Sequence, residues 1–218
     1  MYAMLSSCPN ICFAVNRLSQ FGSKPTETHL LTAQHVLRYL STTRDYKLAY
    51  SNNDSTELIS YCDSDWAADT DDRRSTSGFT FILSGGSIAW ATQKQRTVVL
   101  SSTEAEYMAL TECVKHAQWT LSLLDQLDFD IDLPIELYSD SLGALAIASN
   151  SVYHKRTKHI DIKYHYICDI ISPGRINIDA ISMKNNIADL LTKALPRNSH
   201  HLLVHKFNLV DSPIAGEC

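Results

Sequence analysis

The spacing of apolar residues changes period at residue 57, and that change leaves few architectures open. From 57 to 94 three segments rich in β-formers follow one another, ELISYCDSDW, TSGFTFILSG and SIAWATQK, the last two joined at Gly85-Gly86. Such segments separated by tight turns read as an antiparallel meander. From 102 to 127 the period becomes helical, with Ala109, Leu110, Cys113, Ala117, Leu121 and Leu124 on one stripe. Strand and helix then alternate through IELYSD, SLGALAIAS, TKHIDIKYHYICDII, INIDAIS and IADLLTKAL, with Pro173-Gly174 ending the longest of these helices. The expected order is β-β-β-α-β-α-(α)-β-α. Crossover helices require the later strands to run parallel and put helices on both faces of the sheet. In such folds sites gather at strand carboxyl ends, near the point where strand order reverses.

The flanks are organised differently. Residues 1–50 read as helical: CFAVNRLSQF ends near Gly22, and Thr26 can cap THLLTAQHVLRYLST, with Leu30, Ala33, Val36, Leu37 and Leu40 as its apolar stripe. Leu48-Ala49-Tyr50 suggests a short strand, and the polar stretch SNNDST suggests a boundary. The expected organisation is a helical segment over 1–50, an α/β domain over 57–197 and a less patterned tail over 198–218. With 218 residues the chain can bury one full core and part of a second. No apolar run approaches the ~18 residues that span a bilayer, and the start lacks the build of a signal peptide, so neither membrane insertion nor secretion is expected. Six scattered cysteines without a CxxC pair suit buried free thiols in a reducing compartment. A net charge of −5 argues against a nucleic-acid coat protein but leaves room for a nuclease with a local basic strip.

Four acids sit where these elements begin or end: Asp63, Glu106, Asp140 and Asp189. Asp63 lies among Ile59, Tyr61, Cys62 and Trp66, where a charge is costly unless paired or metal-bound; Asp65 and Asp69 compete for its role. Glu106 fits a capping box with Thr103, but Ser101 and Glu104 fit one too, which leaves Glu106 at the head of the apolar stripe. Asp140 ends a strand and could simply cap the next helix, and Asp189 could simply favour a helix dipole. Converging carboxylates repel unless cations neutralise them. Oxygen-only sites suit Mg²⁺ or Mn²⁺, and paired hard cations suit phosphodiester cleavage.

The segments YCDSDWAADTDDRRSTSGFTF, SIAWATQKQRTVVLSSTEAEYMAL, LYSDSLGALAIASN, RTKHIDIKYHYICD and NNIADLLTKAL, in that order, resemble the ribonuclease H domain of copia-type LTR retrotransposon Pol polyproteins. NRLSQFGSKPTETHLLTAQHVLRYL resembles the linker that joins reverse transcriptase to that domain. The resemblance implies a ribonuclease H-like α/β fold: a five-stranded mixed sheet, three strands antiparallel and then two parallel, flanked by helices and preceded by the helical segment. It implies that Asp63, Glu106, Asp140 and Asp189 hold two Mg²⁺ ions, with Mn²⁺ a substitute, and cleave the RNA strand of an RNA–DNA hybrid. The implied partners are that hybrid and the reverse transcriptase portion of a parent polyprotein. The implied location is a cytoplasmic virus-like particle or the nucleus. Expected phosphate contacts are Arg73, Arg74, Lys94 and Arg96, then Lys155, Arg156 and Lys158 flanked by His154 and His159. Trp66, Trp90 and Trp119 are expected in the core. One departure stands out: many cellular ribonucleases H carry a histidine before the last helix, and PGRINIDAISMKNN has none.

Overall fold

The computed structural model describes residues 1–51, 56–69, 71–149, 166–167, 169–171 and 174–211. The chain opens with helices α1 (Tyr2–Ser6), α2 (Cys12–Ser19) and α3 (Glu27–Thr42) and a two-residue strand, β1 (Lys47–Leu48). The expected meander follows as β2 (Glu57–Asp65), β3 (Thr76–Leu83) and β4 (Gly86–Lys94), then α4 (Ser102–Gln126), β5 (Asp132–Ser139), α5 (Leu142–Ser149) and β6 (Ile176–Ala180). The chain continues through α6 (Asp189–Thr192) and α7 (Arg197–Lys206) to β7 (Leu209–Val210). The main sheet has the order β4-β3-β2-β5-β6. Its first three strands pair antiparallel, and β5 and β6 join β2 in parallel. This is the five-stranded mixed sheet, three strands antiparallel and then two parallel, expected from the sequence. The β3–β4 turn lies one residue earlier than expected: Ser84 and Gly85 both take positive φ, the backbone that matches strand twist in a tight hairpin.

Each sheet face has its own core. On one face α4 lays Leu110, Cys113, Ala117 and Leu121 over Leu58, Cys62, Phe79, Phe81, Ile135 and Leu137. All six residues of the expected α4 stripe are buried. Within the expected helix before Pro173, the described residues 166–167 and 169–171 are helical, and Ile167 is fully buried in this core. On the other face Tyr61, Ile82 and Trp90 pack against Met4, Ile11, Cys12, Leu190, Leu191, Leu203, Val204, Phe207 and Leu209. Residues from both flanks therefore share one core with the sheet.

Three local expectations change. The stretch after Pro196, expected to be less patterned, forms α7 and β7, and β7 pairs antiparallel with β1. In α3 the inward residues are Val36, Tyr39 and Leu40, whereas Leu30 and Leu37 are 58% and 66% exposed. Only the carboxyl half of that helix reaches the second core, so its first apolar turn stays in water. The last helix expected over 187–195 is four residues long: Lys193 turns to extended backbone and Pro196 caps the next helix.

Candidate active site

Strand pairing brings the first two acids together. Cys62 of β2 lies opposite Ser139, the last residue of the parallel β5, so Asp63, still within β2, and Asp140, just beyond β5, come side by side. Asp140 does not cap the helix that follows: Ser141 Oγ accepts the Ala144 N–H at 3.2 Å. Glu106 is freed in the same way. Ser101 Oγ accepts the Glu104 N–H at 3.1 Å, and the Glu104 carboxylate accepts the Leu100 N–H at 3.0 Å, so the earlier register caps α4. The head of α4 is tied to the sheet by the buried Gln95, whose amide donates to the Ala105 carbonyl and to Ser77 Oγ, both at 2.9 Å. Gly143 lets α5 start close by; a Cβ there would lie 2.9 Å from the Thr103 side chain.

Carboxylate oxygens of Asp63, Glu106 and Asp140 then fall within 4.8 Å of one another. Asp63 is fully buried and the other two are half-buried. Glu106 Oε2 is buried without a hydrogen-bond partner among the described residues. Buried acceptors are rarely left bare, because an unmatched one costs about 1–3 kcal/mol. An all-oxygen triad with an unused acceptor fits a hard divalent ion such as Mg²⁺ or Mn²⁺.

Asp189 is not part of this triad. It sits in the first turn of α6 and reaches Asp63 through a cation: Lys193 Nζ donates to Asp189 Oδ1 at 2.7 Å and to Asp63 Oδ1 at 3.1 Å. The neighbouring Thr192 hydroxyl donates to the other oxygen of Asp63. This clamp depends on Gly78, where a Cβ would lie 2.7 Å from Thr192 Cγ2 and 2.8 Å from Leu191 Cβ. The loop before α6 is anchored by Asn186, wholly buried, which donates to the Cys62 carbonyl at 2.9 Å and accepts the Ala188 N–H at 3.2 Å.

Crowded carboxylates shift one another. Burial, then the charges of Asp63 and Asp140, push Glu106 up to about 9. Burial and Asp63 raise Asp140, and the same two causes, opposed by Lys193, raise Asp189 to about 6. Burial alone would lower Lys193, but the carboxylates of Asp63 and Asp189 outweigh it and hold the ammonium above its ordinary range. A raised carboxyl contributes stability that is complete below its unfolded value and is lost as pH rises through its folded value. Without metal, the melting temperature should therefore lose this contribution as pH rises from 4.5 towards about 9. Glu106→Gln should flatten that limb in a thermal melt series. An unchanged slope would show that Glu106 is already ionised in the folded chain.

Comparison with known proteins finds relatives by sequence and by fold. Over 205 residues the chain is 38% identical to the retrovirus-related Pol polyprotein from transposon RE1 of Arabidopsis thaliana, a match covering 94% of this chain and 14% of that protein. It is 40% identical over 202 residues to the Pol polyprotein from transposon TNT 1-94 of Nicotiana tabacum, covering 93% of this chain and 15% of that one. The chain is homologous to part of the Pol polyproteins of copia-type retrotransposons. The chain spans about one seventh of the length of those relatives. It is also 49% identical over 119 residues to secreted RxLR effector protein 161 of Plasmopara viticola, covering 55% of this chain and 84% of that protein. Among solved structures, LC11-RNase H1 from compost superposes with a TM-score of 0.48 at 18% identity, over 63% of this chain and 93% of that one. No protein-family model matches the chain.

The other expected site residues divide. Asp65 is half-buried at the end of β2. Asp69 is buried but paired with Arg17 of α2 and with Lys94, so it fastens the first helices to the sheet. Lys94 is thus committed: it pairs with Asp69, with Asp72 at 2.9 Å and with Gln20 at 2.9 Å, a correction to its expected phosphate contact. Arg73, Arg74 and Arg96 are exposed. Arg96 borders an open cleft of about 760 Å³ with Thr97, Val98, Met108 and Lys115, and none of the four acids lines it. Lys155, Arg156, Lys158, His154 and His159 lie outside the described residues. Two tryptophans are not core: Trp66 is 49% and Trp119 58% exposed, while Trp90 donates to the Met4 carbonyl at 2.7 Å. Lys193, Thr192, Gln95 and Gly78 were not singled out by sequence. The signal for Lys193 was its spacing of four residues from Asp189 on a helical pattern, a favourable ion-pair register.

Proposed function

We propose that this chain is a metal-dependent ribonuclease that hydrolyses the RNA strand of RNA–DNA hybrids during retrotransposon reverse transcription. One observation carries the reading: three carboxylates from β2, α4 and the end of β5 meet within 4.8 Å, one with a bare buried oxygen, in a chain of Pol ancestry. In this reading Asp63, Glu106 and Asp140 hold divalent ions, Mg²⁺ or Mn²⁺, and Asp189 completes the set for a second ion. Bound there, such ions supply charge neutralisation at the scissile phosphate and a more acidic water. The chain's own part is to fix the acids on rigid elements, with Gln95 and Asn186 locking the α4 head and the α6 loop. Arg73, Arg74 and Arg96 offer exposed charge to the phosphate backbone, and Lys155, Arg156 and Lys158 are proposed to extend that strip. Such contacts set position on the duplex rather than sequence preference. The reverse transcriptase portion of a parent polyprotein is the proposed partner, in a cytoplasmic virus-like particle or the nucleus.

The test is an end-labelled hybrid incubated with the folded chain and Mg²⁺. Cleavage of the RNA strand alone, abolished by EDTA, is expected. An intact hybrid would leave the second reading, a domesticated remnant that binds nucleic acid or protein without cutting. That reading draws on the similarity to a short protein named as a secreted effector, and a gel-shift assay with the same hybrid would then separate nucleic-acid from protein binding.

A further inference from the structure

We propose that Lys193 is a tethered cation that occupies the space between Asp63 and Asp189 and must leave it before a divalent ion can bridge those two carboxylates. This inference rests on the metal-site reading above and goes beyond it, because it assigns the site a resident charge of its own.

The observations are geometric. Lys193 Nζ spans one oxygen of each acid, at 3.1 Å from Asp63 and 2.7 Å from Asp189. The second oxygen of Asp63 is taken by the Thr192 hydroxyl. The arrangement is built rather than incidental. Asp63 is buried, and Lys193 itself keeps only 31% of its side-chain exposure. The close packing of α6 on Gly78 fixes the backbone of residues 191–192 just before it. Asp63 and Asp189 thus reach each other through an ammonium, whereas Asp63, Glu106 and Asp140 gather with Glu106 Oε2 unmatched. A divalent ion bridging Asp63 Oδ1 and Asp189 Oδ1 would need the space the ammonium fills, and two cations that close repel. The consequence is an ordered site: the triad accepts a first ion readily, and the Asp63–Asp189 side accepts a second only when the lysine withdraws. A ligand that needs a competing group displaced binds with an affinity reduced by the fraction of molecules in which the site is free. The lysine has somewhere to go, because its partly exposed side chain is long and flexible.

The experiment compares Mn²⁺ binding, read from the electron paramagnetic resonance of free Mn²⁺, in wild type, Lys193→Gln and Lys193→Arg. In Lys193→Gln the weaker of two sites should tighten about tenfold, the change expected if lysine holds the site nine-tenths of the time. The metal-free melting midpoint should fall by about 4 °C, since one buried and one partly buried carboxylate lose their counter-charge. Lys193→Arg should keep the wild-type isotherm within about threefold, because the charge remains. An isotherm unchanged in Lys193→Gln, or weakened at both sites, overturns the proposal. Absence of Mn²⁺ binding by every form overturns instead the metal-site reading beneath it. If Lys193→Gln does not fold, wild type labelled with ¹³C at lysine Cε serves. The Lys193 resonance, identified by its loss in Lys193→Arg, should move on saturation with Mg²⁺, and a stationary resonance overturns the proposal.

Discussion

Asp140→Asn should lower cleavage of an RNA–DNA hybrid by about 100-fold or more while leaving the fold in place. Groups one layer removed from a metal commonly cost 10–100-fold when changed, so a group offered to the metal directly should reach or pass that bound. The substitution keeps the side-chain volume. It does not disturb α5, because Ser141 rather than Asp140 satisfies the first turn of that helix. Asp140 is held above its usual range by burial and by Asp63, so removing its charge relieves repulsion in metal-free protein. The metal-free variant should accordingly melt no lower than wild type. Loss of activity together with unreduced stability separates a metal ligand from a structural residue. Cleavage at the wild-type rate would remove Asp140 from the proposed site.

Phe207→Ala should destabilise the chain by about 3–5 kcal/mol, the usual cost of emptying a buried aromatic position. Phe207 has no exposed surface and packs in the core that joins Met4, Ile11 and Cys12 to Leu190, Leu191, Leu203 and Val204. Denaturant unfolding followed by tryptophan fluorescence would read the change. A cost below about 1 kcal/mol would mean that this core collapses readily around the gap or lies outside the cooperative unit.

The sheet and α4 were legible because their patterns are strong: β-formers crowd ELISYCDSDW and TSGFTFILSG, and a helical stripe runs from Ala109 to Leu124. The release of Glu106 was legible as well, since two overlapping capping boxes cannot both be used. The C-terminal flank was not. In α7, RNSHHLLVHK, Leu203 and Val204 are buried but Leu202 is exposed, so no stripe announces the helix, and its burial depends on partners nearly two hundred residues away in sequence. The basic residues misled for a related reason. Lys94 reads as surface charge beside Arg96, yet Asp69 is buried within reach of it, and only folding reveals that pairing. Trp66 and Trp119 show the limit of composition: a large apolar ring predicts the core only where a neighbour covers it. The part played by Lys193 needs knowledge of how α6 sits on Gly78, which no local pattern carries.

The second core has a practical consequence for anyone handling this chain in pieces. A fragment trimmed to the boundaries that the sequence suggests, 57–197, would keep Asp63, Glu106, Asp140, Asp189 and Lys193. It would lose the side chains of Met4, Ile11, Cys12, Leu203, Val204 and Phe207 that shield Tyr61, Ile82 and Trp90 on the far side of the sheet. It would also lose Arg17, leaving the buried Asp69 to Lys94 alone. Such a fragment would carry a complete set of acids on a sheet with one sticky, uncovered face, and its silence in an assay would speak of aggregation rather than chemistry.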